Sequence, residues 1–252
     1  MFVVTGGGSG IGRALAQHLA GLNHHVLIIG RNDNTLQETR SFSPLIETLC
    51  ADVSTRAGRI LIKEFLSPYH SITGLIHNAG VIDPILPMQD VDEDTWRTVM
   101  ETNLNAPFLL TQALLTQLKG GRVLHIGSGA AYFPVVGWAP YCVSKAALAM
   151  LTRCSQLEYQ DIACASVMPG IVDTAMQASI RQAVKMAPEK RAFFNTLKNK
   201  DQLISVETVA LFLSWLLLDL DKTTYASKEW DIYEVSHHES WLKSPHRVPC
   251  LE

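Results

Sequence analysis

The sequence carries little charge of either sign. Only 18% of its 252 residues are charged, and the formal net charge at pH 7 is -3. A surface that binds nucleic acid or an anionic membrane requires an excess of lysine and arginine that this composition lacks. We therefore expect neither nucleic acid nor a membrane as a partner.

Cysteine is scarce and is not arranged in pairs. The five cysteines are odd in number and form no C-x-x-C motif, so neither a disulfide framework nor a zinc site is indicated. We expect no bound metal, and free thiols suit a reducing compartment, so we expect a cytoplasmic protein. The cysteines are Cys50, Cys142, Cys154, Cys164 and Cys250.

Long hydrophobic runs are also missing. The apolar stretch 211–218 is interrupted by Ser214 and is much shorter than the roughly 20 residues of a membrane helix. The short apolar segment near Met1 has no basic flank and no cleavage site. We therefore expect no export signal.

Short apolar runs alternate with segments of helical spacing along most of the chain. Buried parallel strands are short apolar runs, and the helices that cover them are apolar on one face. This alternation predicts an α/β fold of the Rossmann type, with a doubly wound parallel sheet between two helical layers. We expect one domain at 1–234 and a solvated tail at 235–252. The predicted strands are 2–4, 25–30, 48–52, 74–77, 122–127, 162–168 and 229–234.

A glycine-rich turn separates the first predicted strand from the first predicted helix. Gly6, Gly10 and Gly12 give the pattern G-x-x-x-G-x-G. Glycines let the backbone approach a pyrophosphate, whose charge is stabilised by the free N–H groups of a helix N-terminus. The order of strand, turn and helix favours a dinucleotide site over the alternative, a flexible surface turn.

The residue after the second predicted strand bears on the choice of cofactor. An acidic side chain there accepts a hydrogen bond from the ribose 2′-hydroxyl of NAD, whereas an arginine binds the 2′-phosphate of NADP. Here Gly30 is followed by Arg31, which favours NADP. The alternative is that Arg31 is an exposed loop charge.

Tyr141 and Lys145 lie four residues apart in a predicted helix, which places their side chains on one face. A tyrosine with a pKa of about 10 is a poor acid or base near neutral pH. An ammonium about 4 Å away, at an effective dielectric constant of about 20, favours the phenolate by about 4 kcal/mol and lowers that pKa by about three. The pair is therefore a candidate for proton transfer. The alternative is a half-buried aromatic residue beside a solvated lysine.

Two further segments are notable. The long helix predicted at 92–118 contains Pro107, which frees a carbonyl and makes the turn at Asn103 irregular and able to hold water. The polar-rich segment 175–204 has the least regular pattern of the chain. It is either a substrate lid or a simple surface excursion.

Together these motifs resemble the short-chain dehydrogenase/reductase family in order and in spacing. The resemblance covers nearly the whole chain, and Ser128, thirteen residues before Tyr141, makes it much more specific than the tyrosine and lysine alone. It implies a seven-stranded parallel sheet with helices on both faces, and a homodimer or homotetramer. The motifs are Thr5-Gly6-x-x-x-Gly10-Ile11-Gly12, Asn78-Ala79-Gly80, Asn103, Ser128, Tyr141-x-x-x-Lys145 and Pro169-Gly170.

The resemblance also implies a role for each matched position. Tyr141 would protonate the reacting oxygen, Ser128 would hydrogen-bond it, and Lys145 would also hold the nicotinamide ribose. Asn103 would fix a water that returns the proton. The implied catalytic residues are Asn103, Ser128, Tyr141 and Lys145. The implied NADP contacts are Gly6, Ser9, Gly10, Ile11, Gly12, Arg31, Asn32, Asp52, Val53, Asn78, Ala79, Gly80, Tyr141, Lys145, Pro169, Gly170, Val172 and Thr174.

Within that family the chain is similar to the branch of sepiapterin and benzil reductases, which use NADPH to reduce ketones next to another carbonyl. Asp231 matches the carboxylate that anchors the pteridine in sepiapterin reductase, so it is a substrate-site candidate together with Trp138, Ser128 and Tyr141. The likeness rests on Gly137-Trp138-Ala139-x-Tyr141-Cys142-x-x-Lys145-Ala146-Ala147, Pro169-Gly170-x-x-Asp173-Thr174-x-Met176, Arg31-Asn32-Asp33 and Asp231-x-Tyr233.

Three features depart from the pattern of that branch. Ser9 stands where sepiapterin reductase has an arginine, which weakens the preference for NADP. His77 replaces an asparagine, and we expect it to be a hydrogen-bonded core residue without a chemical role. A tail of some eighteen residues, with His237, His238 and His246, extends beyond Glu234.

The expected function is an NADPH-dependent carbonyl reductase that transfers a hydride to a ketone or an α-dicarbonyl and forms an alcohol. Two alternatives stay open. Another reductase of the same family would act on an acyl thioester, a sugar or a polyol. A non-catalytic NADP-binding regulator would share the fold, although it need not keep Ser128, Tyr141 and Lys145 together.

Overall fold

Seven parallel strands form one sheet in the computed structural model, which describes residues 1–250. Their order in space is β3-β2-β1-β4-β5-β6-β7, so the winding reverses between β1 and β4. In open parallel sheets, ligands bind at such a switch point beyond the carboxyl ends of the strands. The strands are β1 (Phe2–Thr5), β2 (Val26–Gly30), β3 (Ile46–Cys50), β4 (Gly74–His77), β5 (Arg122–Ile126), β6 (Ala163–Met168) and β7 (Trp230–Asp231).

Both faces of this sheet are buried, because successive side chains of a strand point to opposite sides. In β1, Val4 packs in the core that contains Leu15 and Phe212, whereas Val3 packs in the core that contains Leu110. The predicted Rossmann-type fold is confirmed. The helices are α1 (Gly10–Gly21), α2 (Asp33–Arg40), α3 (Arg56–Leu66), α4 (Glu93–Met100), α5 (Ala106–Ala113), α6 (Ala139–Glu158), α7 (Ala175–Gln182), α8 (Pro188–Asn199), α9 (Val206–Leu218), α10 (Lys222–Tyr225) and α11 (His238–Trp241).

A π-helical turn, Glu101–Asn105, interrupts the long helix predicted at 92–118. It lies between α4 and α5, and Pro107 is in the first turn of α5. Proline has no backbone N–H to continue the regular pattern, and π-helical turns are frequent at functional sites. The predicted irregularity at Asn103 is confirmed. The helix ends earlier than predicted, because α5 stops at Ala113.

Segment 175–204 is more regular than predicted, since it contains the two helices α7 and α8. Thr174 caps α7 by accepting a hydrogen bond from the backbone N–H of Gln177 at 3.3 Å. Ile180 of α7 and Phe194 of α8 are buried in one cluster with Tyr141. The two helices therefore pack against this part of α6, and we call them the lid. Their role in covering a substrate stays a prediction.

The chain end differs most from the prediction. β7 contains two residues rather than the six predicted at 229–234. His237 and Trp241 are 7% and 2% exposed, and both pack against Phe212 of α9. The prediction of a solvated tail is wrong for these two residues, because α9 offers aromatic surface on which their rings are removed from water. The last two residues of the predicted tail lie outside the described residues.

Candidate active site

Tyr141 and Lys145 lie in the first two turns of α6, which begins at Ala139, two residues earlier than predicted. Pro140 suits the first turn, where its missing N–H needs no partner. The Nζ atom of Lys145 is 5.6 Å from the centre of the Tyr141 ring. Both side chains are nearly inaccessible, at 8% exposure for Tyr141 and 5% for Lys145. The structure thus brings the predicted pair together in a buried place.

Burial determines the protonation of both groups. It raises the pKa of Tyr141 to about 12, while a hydrogen bond with Ser128 acts in the opposite direction. Burial also lowers the pKa of Lys145 to about 8, and its ammonium donates to the carbonyl of Ile126 at 2.7 Å. The predicted net lowering of the Tyr141 pKa is therefore wrong, because burial dominates. The role of Lys145 in the proton transfer stays a prediction.

Ser128 follows the end of β5 and caps the short turn Gly129–Ala131. Its Oγ atom accepts a hydrogen bond from the backbone N–H of Ala130 at 3.1 Å, which orients the side chain. The Ser128 hydroxyl also acts to lower the pKa of Tyr141, against the larger effect of burial. A carbonyl oxygen placed between them would receive two hydrogen bonds.

Asn103 lies in the π-helical turn and is 1% exposed. Its side-chain oxygen accepts from the N–H of Val81 at 2.8 Å, and its NH₂ donates to Val81 O at 2.9 Å and to Ser144 Oγ at 3.0 Å. The amide therefore holds the segment after β4 against α6. The water assigned to Asn103 from the sequence stays a prediction.

The glycine turn lies between β1 and α1, at the switch point of the sheet. Gly6 and Gly10 have φ values of +68° and +52°, a region that side chains with a Cβ rarely adopt. A Cβ at Gly12 would lie 2.5 Å from the carbonyl oxygen of Gly6. The glycines are thus required by the path of the chain, and the alternative of a merely flexible turn is not supported.

This turn fits the pyrophosphate of a dinucleotide. Ser9 makes no side-chain cap hydrogen bond to α1, unlike Thr55, whose hydroxyl accepts from the N–H of Gly58 in α3 at 3.0 Å. The first N–H groups of α1, which include that of Ile11, therefore have no side-chain partner and suit an anion.

Gly80 lies beside the reactive pair, since a Cβ there would lie 3.7 Å from Lys145 Nζ.

Residues after β4 hold the glycine turn in place. The Asn78 amide donates to the carbonyl of Thr5 at 2.9 Å and to that of Gly6 at 3.2 Å. The hydroxyl of Thr5 accepts from the N–H groups of Asn78 and Ala79, both at 3.1 Å. The Arg13 guanidinium donates to the carbonyl of Gly8 at 2.6 Å. The sequence reasoning missed Arg13, although its position directly after the glycine pattern was a usable signal.

Arg31 lies just beyond β2 and is exposed, at the sheet edge that carries the glycine turn. Asn32 accepts a hydrogen bond from the N–H of Thr35 at 3.3 Å and so caps α2. Beyond β3, Asp52 accepts from the N–H and the hydroxyl of Ser54, at 2.9 and 2.7 Å, and Val53 is buried. Arg31 is therefore an exposed cation at this end, and the side chains of Asn32 and Asp52 have hydrogen-bond partners within the protein.

The segment after β6 approaches the glycine turn from the other side. Pro169 is buried, and Gly170 has a φ of +78°, where a Cβ would lie 2.6 Å from the side chain of Ile204. Val172 forms a parallel bridge with Ile204. The methyl group of Thr174 lies 3.4 Å from the position of a Cβ on Gly10. Thr174, which follows β6, and Gly10, which follows β1, are both predicted cofactor contacts, and the structure places them side by side.

A hydrophobic cluster between α6 and the lid encloses the Tyr141 ring. Trp138 packs edge to face on Tyr141, with ring centres 5.9 Å apart, and stacks on Phe194 of α8, also at 5.9 Å. Met186, between the two lid helices, is 2% exposed in the same cluster. The sequence analysis did not single out Phe194 or Met186, because the sequence around a single apolar residue does not show which other residues it packs against.

Asp231 pairs with Met168 at the carboxyl end of β6, so it lies at the same sheet edge as the reactive pair. Its carboxylate accepts from the N–H of Tyr233 at 3.0 Å, and its backbone oxygen is 3.0 Å from Nε2 of His237. The hydroxyl of Tyr233 accepts from the N–H of Ile171 at 3.1 Å. These bonds link the chain end to the segment that follows β6.

His77 is a core residue, as predicted. It is 3% exposed, its Nε2 atom is 2.9 Å from the hydroxyl of Thr111, and its ring stacks on His125 at 5.1 Å. Within residues 1–250, no group of three His, Cys, Asp or Glu side chains is arranged to hold a metal ion. None of the helices in this part of the chain is both long and apolar enough to cross a membrane.

Comparison with known proteins agrees with this geometry. Residues 1–185 match the family model described as short chain dehydrogenase. A benzil reductase from Bacillus subtilis that forms (S)-benzoin is 30% identical over 242 residues, which cover 93% of this chain and 98% of that enzyme.

Solved structures show the same fold. The short-chain dehydrogenase/reductase YIR035C from Saccharomyces cerevisiae superposes with a TM-score of 0.88, is 24% identical, and the match covers 95% of this chain and 98% of that one. A short chain dehydrogenase from Shigella flexneri, complexed with NADP, has a TM-score of 0.77 and is 25% identical, over 91% of this chain and 95% of that one.

Proposed function

The chain belongs to the short chain dehydrogenase family, an oxidoreductase family that acts on alcohols and carbonyls, and we propose that it reduces ketones and α-dicarbonyls with NADPH. The observation that carries the proposal is the buried pair of Tyr141 and Lys145, with Nζ of Lys145 5.6 Å from the centre of the tyrosine ring. A phenol is a stronger acid than an alcohol, so Tyr141 can protonate the developing alkoxide oxygen that becomes the alcohol. The similarity to a benzil reductase supports a dicarbonyl as substrate.

In the proposed mechanism, Ser128 donates a hydrogen bond to the substrate oxygen and Tyr141 protonates it. NADPH, when bound, supplies the hydride. Lys145 would stabilise the phenolate that remains and would help to hold the nicotinamide ribose. Trp138 and the lid helices exclude water from the reacting carbonyl, and Asp231 contacts the distal part of the substrate from the sheet edge.

The proposal is tested by following NADPH oxidation with diketones, pteridines, acetoacetyl thioesters and sugar ketones. We expect the diketones to give the highest kcat/KM, because the apolar lid cluster suits flat apolar molecules better than polyols. Preference for the thioester or the sugar would instead support another reductase of the family. Binding of NADPH with no turnover of any of these compounds would support a regulator and contradict the proposal.

The preference for NADPH over NADH is expected to depend on Arg31. Replacing Arg31 with alanine removes a charge-assisted contact to the 2′-phosphate, so kcat/KM with NADPH should fall by about 10- to 100-fold. The value with NADH should change by less than about twofold, because that cofactor has no phosphate there. Arg40→Ala, which removes an exposed charge at the end of α2, is the matched control. Equal losses with both cofactors would contradict the assignment.

We also propose a cytoplasmic homodimer or homotetramer. The location is supported by the cysteines, since all five are free thiols. Assembly is supported by exposed apolar side chains on three helices, namely Trp96 of α4, Phe108 of α5 and Met150 of α6, each more than 40% exposed. Size-exclusion chromatography with light scattering tests the assembly.

A further inference from the structure

The indole N–H of Trp138 has no hydrogen-bond partner, although Trp138 is only 7% exposed. An unpartnered donor in the interior is unfavourable and rare in folded proteins. Within residues 1–250 the other buried side-chain nitrogens without a partner are on His125 and Gln177. Of the three, Trp138 packs directly on the ring of Tyr141.

Backbone hydrogen bonds hold Trp138 in place. It is the N-cap residue of α6, and its carbonyl accepts from the N–H of Cys142 at 2.8 Å while its own N–H donates to Val135 O at 3.0 Å. It precedes Tyr141 by three residues, a spacing that places two side chains side by side at the start of a helix. The indole ring is thus held beside the ring of Tyr141.

The protein around the indole offers it no acceptor. Its cluster consists of apolar side chains such as Ile82, Ile85 and Met186, and its face is covered by Phe194 of the lid at an interplanar angle of 11°. The indole also packs edge to face on the ring of Tyr141, with ring centres 5.9 Å apart. The unpartnered donor therefore belongs to the side chain that borders the proposed acid.

We propose that the indole N–H of Trp138 donates a hydrogen bond to the second oxygen of an α-dicarbonyl, while Tyr141 and Ser128 hold the first. This inference rests on the proposed function and adds a specificity determinant to it. The two oxygens of such a substrate are on adjacent carbons, and the two aromatic side chains that would donate to them pack edge to face at the start of α6. A simple ketone presents no second oxygen and leaves the N–H unpartnered, so the site prefers dicarbonyls by one hydrogen bond.

The test is the ratio of kcat/KM for a diaryl diketone to that for an aryl monoketone of the same size, measured in the intact enzyme with NADPH. Trp138→Phe keeps a ring to stack on Phe194 but removes the donor. We expect this ratio to fall by about tenfold or more, as for loss of one hydrogen bond in a closed site, whatever the common effect of the smaller ring on both ketones. Trp96→Phe, on exposed α4, is the matched control.

A variant that does not fold is replaced by one in which benzothienyl-alanine stands at position 138, since this residue keeps the shape of the indole and exchanges only N–H for sulfur. Equal effects on both ketones, or an effect on neither, in either folded variant would overturn the role of Trp138 alone. A parent enzyme that reduces no carbonyl compound would overturn the proposed function and this inference with it.

Discussion

Replacing Tyr141 with phenylalanine is expected to lower kcat for ketone reduction by about 100-fold or more, the usual contribution of a general acid. The ring and its contacts with Trp138 remain, so the lid cluster should stay packed. Affinity for NADPH, measured by quenching of protein fluorescence, should change by less than about threefold. The loss should be similar from pH 6 to pH 9, because the pKa of the tyrosine is raised to about 12.

Tyr159→Phe is the control for this variant. Tyr159 ends the same helix and is only half-buried, away from the lid cluster, so loss of its hydroxyl should leave kcat within about twofold of the parent. A Tyr141→Phe enzyme that kept more than a tenth of the parent kcat would remove Tyr141 from the mechanism.

Replacing Trp241 with alanine is expected to lower the free energy of unfolding by about 3 to 5 kcal/mol, as for other large buried aromatic residues. Trp241 packs on Phe212 with ring centres 4.8 Å apart, and its indole N–H donates to Nδ1 of His237 at 2.8 Å. Because Nε2 of His237 bonds the backbone of Asp231, the KM of the substrate should also rise. Urea denaturation and steady-state kinetics measure the two effects.

Trp241→Phe is the milder change. It keeps an aromatic ring on Phe212 but removes the indole N–H and part of the bicyclic ring, so we expect a smaller loss, of about 1 to 3 kcal/mol. A loss below about 1 kcal/mol for Trp241→Ala would mean that the segment after Glu234 contributes little to the fold, as the sequence alone suggested.

The prediction of a solvated tail was wrong for His237 and Trp241 because the hydrophobic pattern of a sequence does not show which aromatic residues cluster in the fold. His237 and Trp241 stand among polar residues, a composition that is typical of a solvated tail. Their burial depends on aromatic residues of α9, more than twenty positions earlier, which the fold brings beside β7. Contacts between residues so far apart in the chain cannot be predicted from a short stretch of sequence.

The protonation of Tyr141 was also decided by tertiary structure. Helical spacing predicts that Lys145 is its neighbour, and that is what the structure has. Spacing does not predict how deeply the pair is buried, and burial outweighs the attraction of an ammonium that donates to Ile126 rather than to the phenol. The lid, which packs in one cluster with Tyr141, could be predicted from the sequence only as a segment of irregular pattern.

The sequence by itself determined the layered fold, the glycine turn after β1 and the order of Asn103, Ser128, Tyr141 and Lys145, because these depend on local periodicity, on backbone freedom and on fixed spacings. Only the tertiary structure decided that burial raises the pKa of Tyr141, that the indole of Trp138 lies beside it without a hydrogen-bond partner, and that the chain end packs on α9. These properties depend on burial and on long-range contacts, which arise when distant segments pack together.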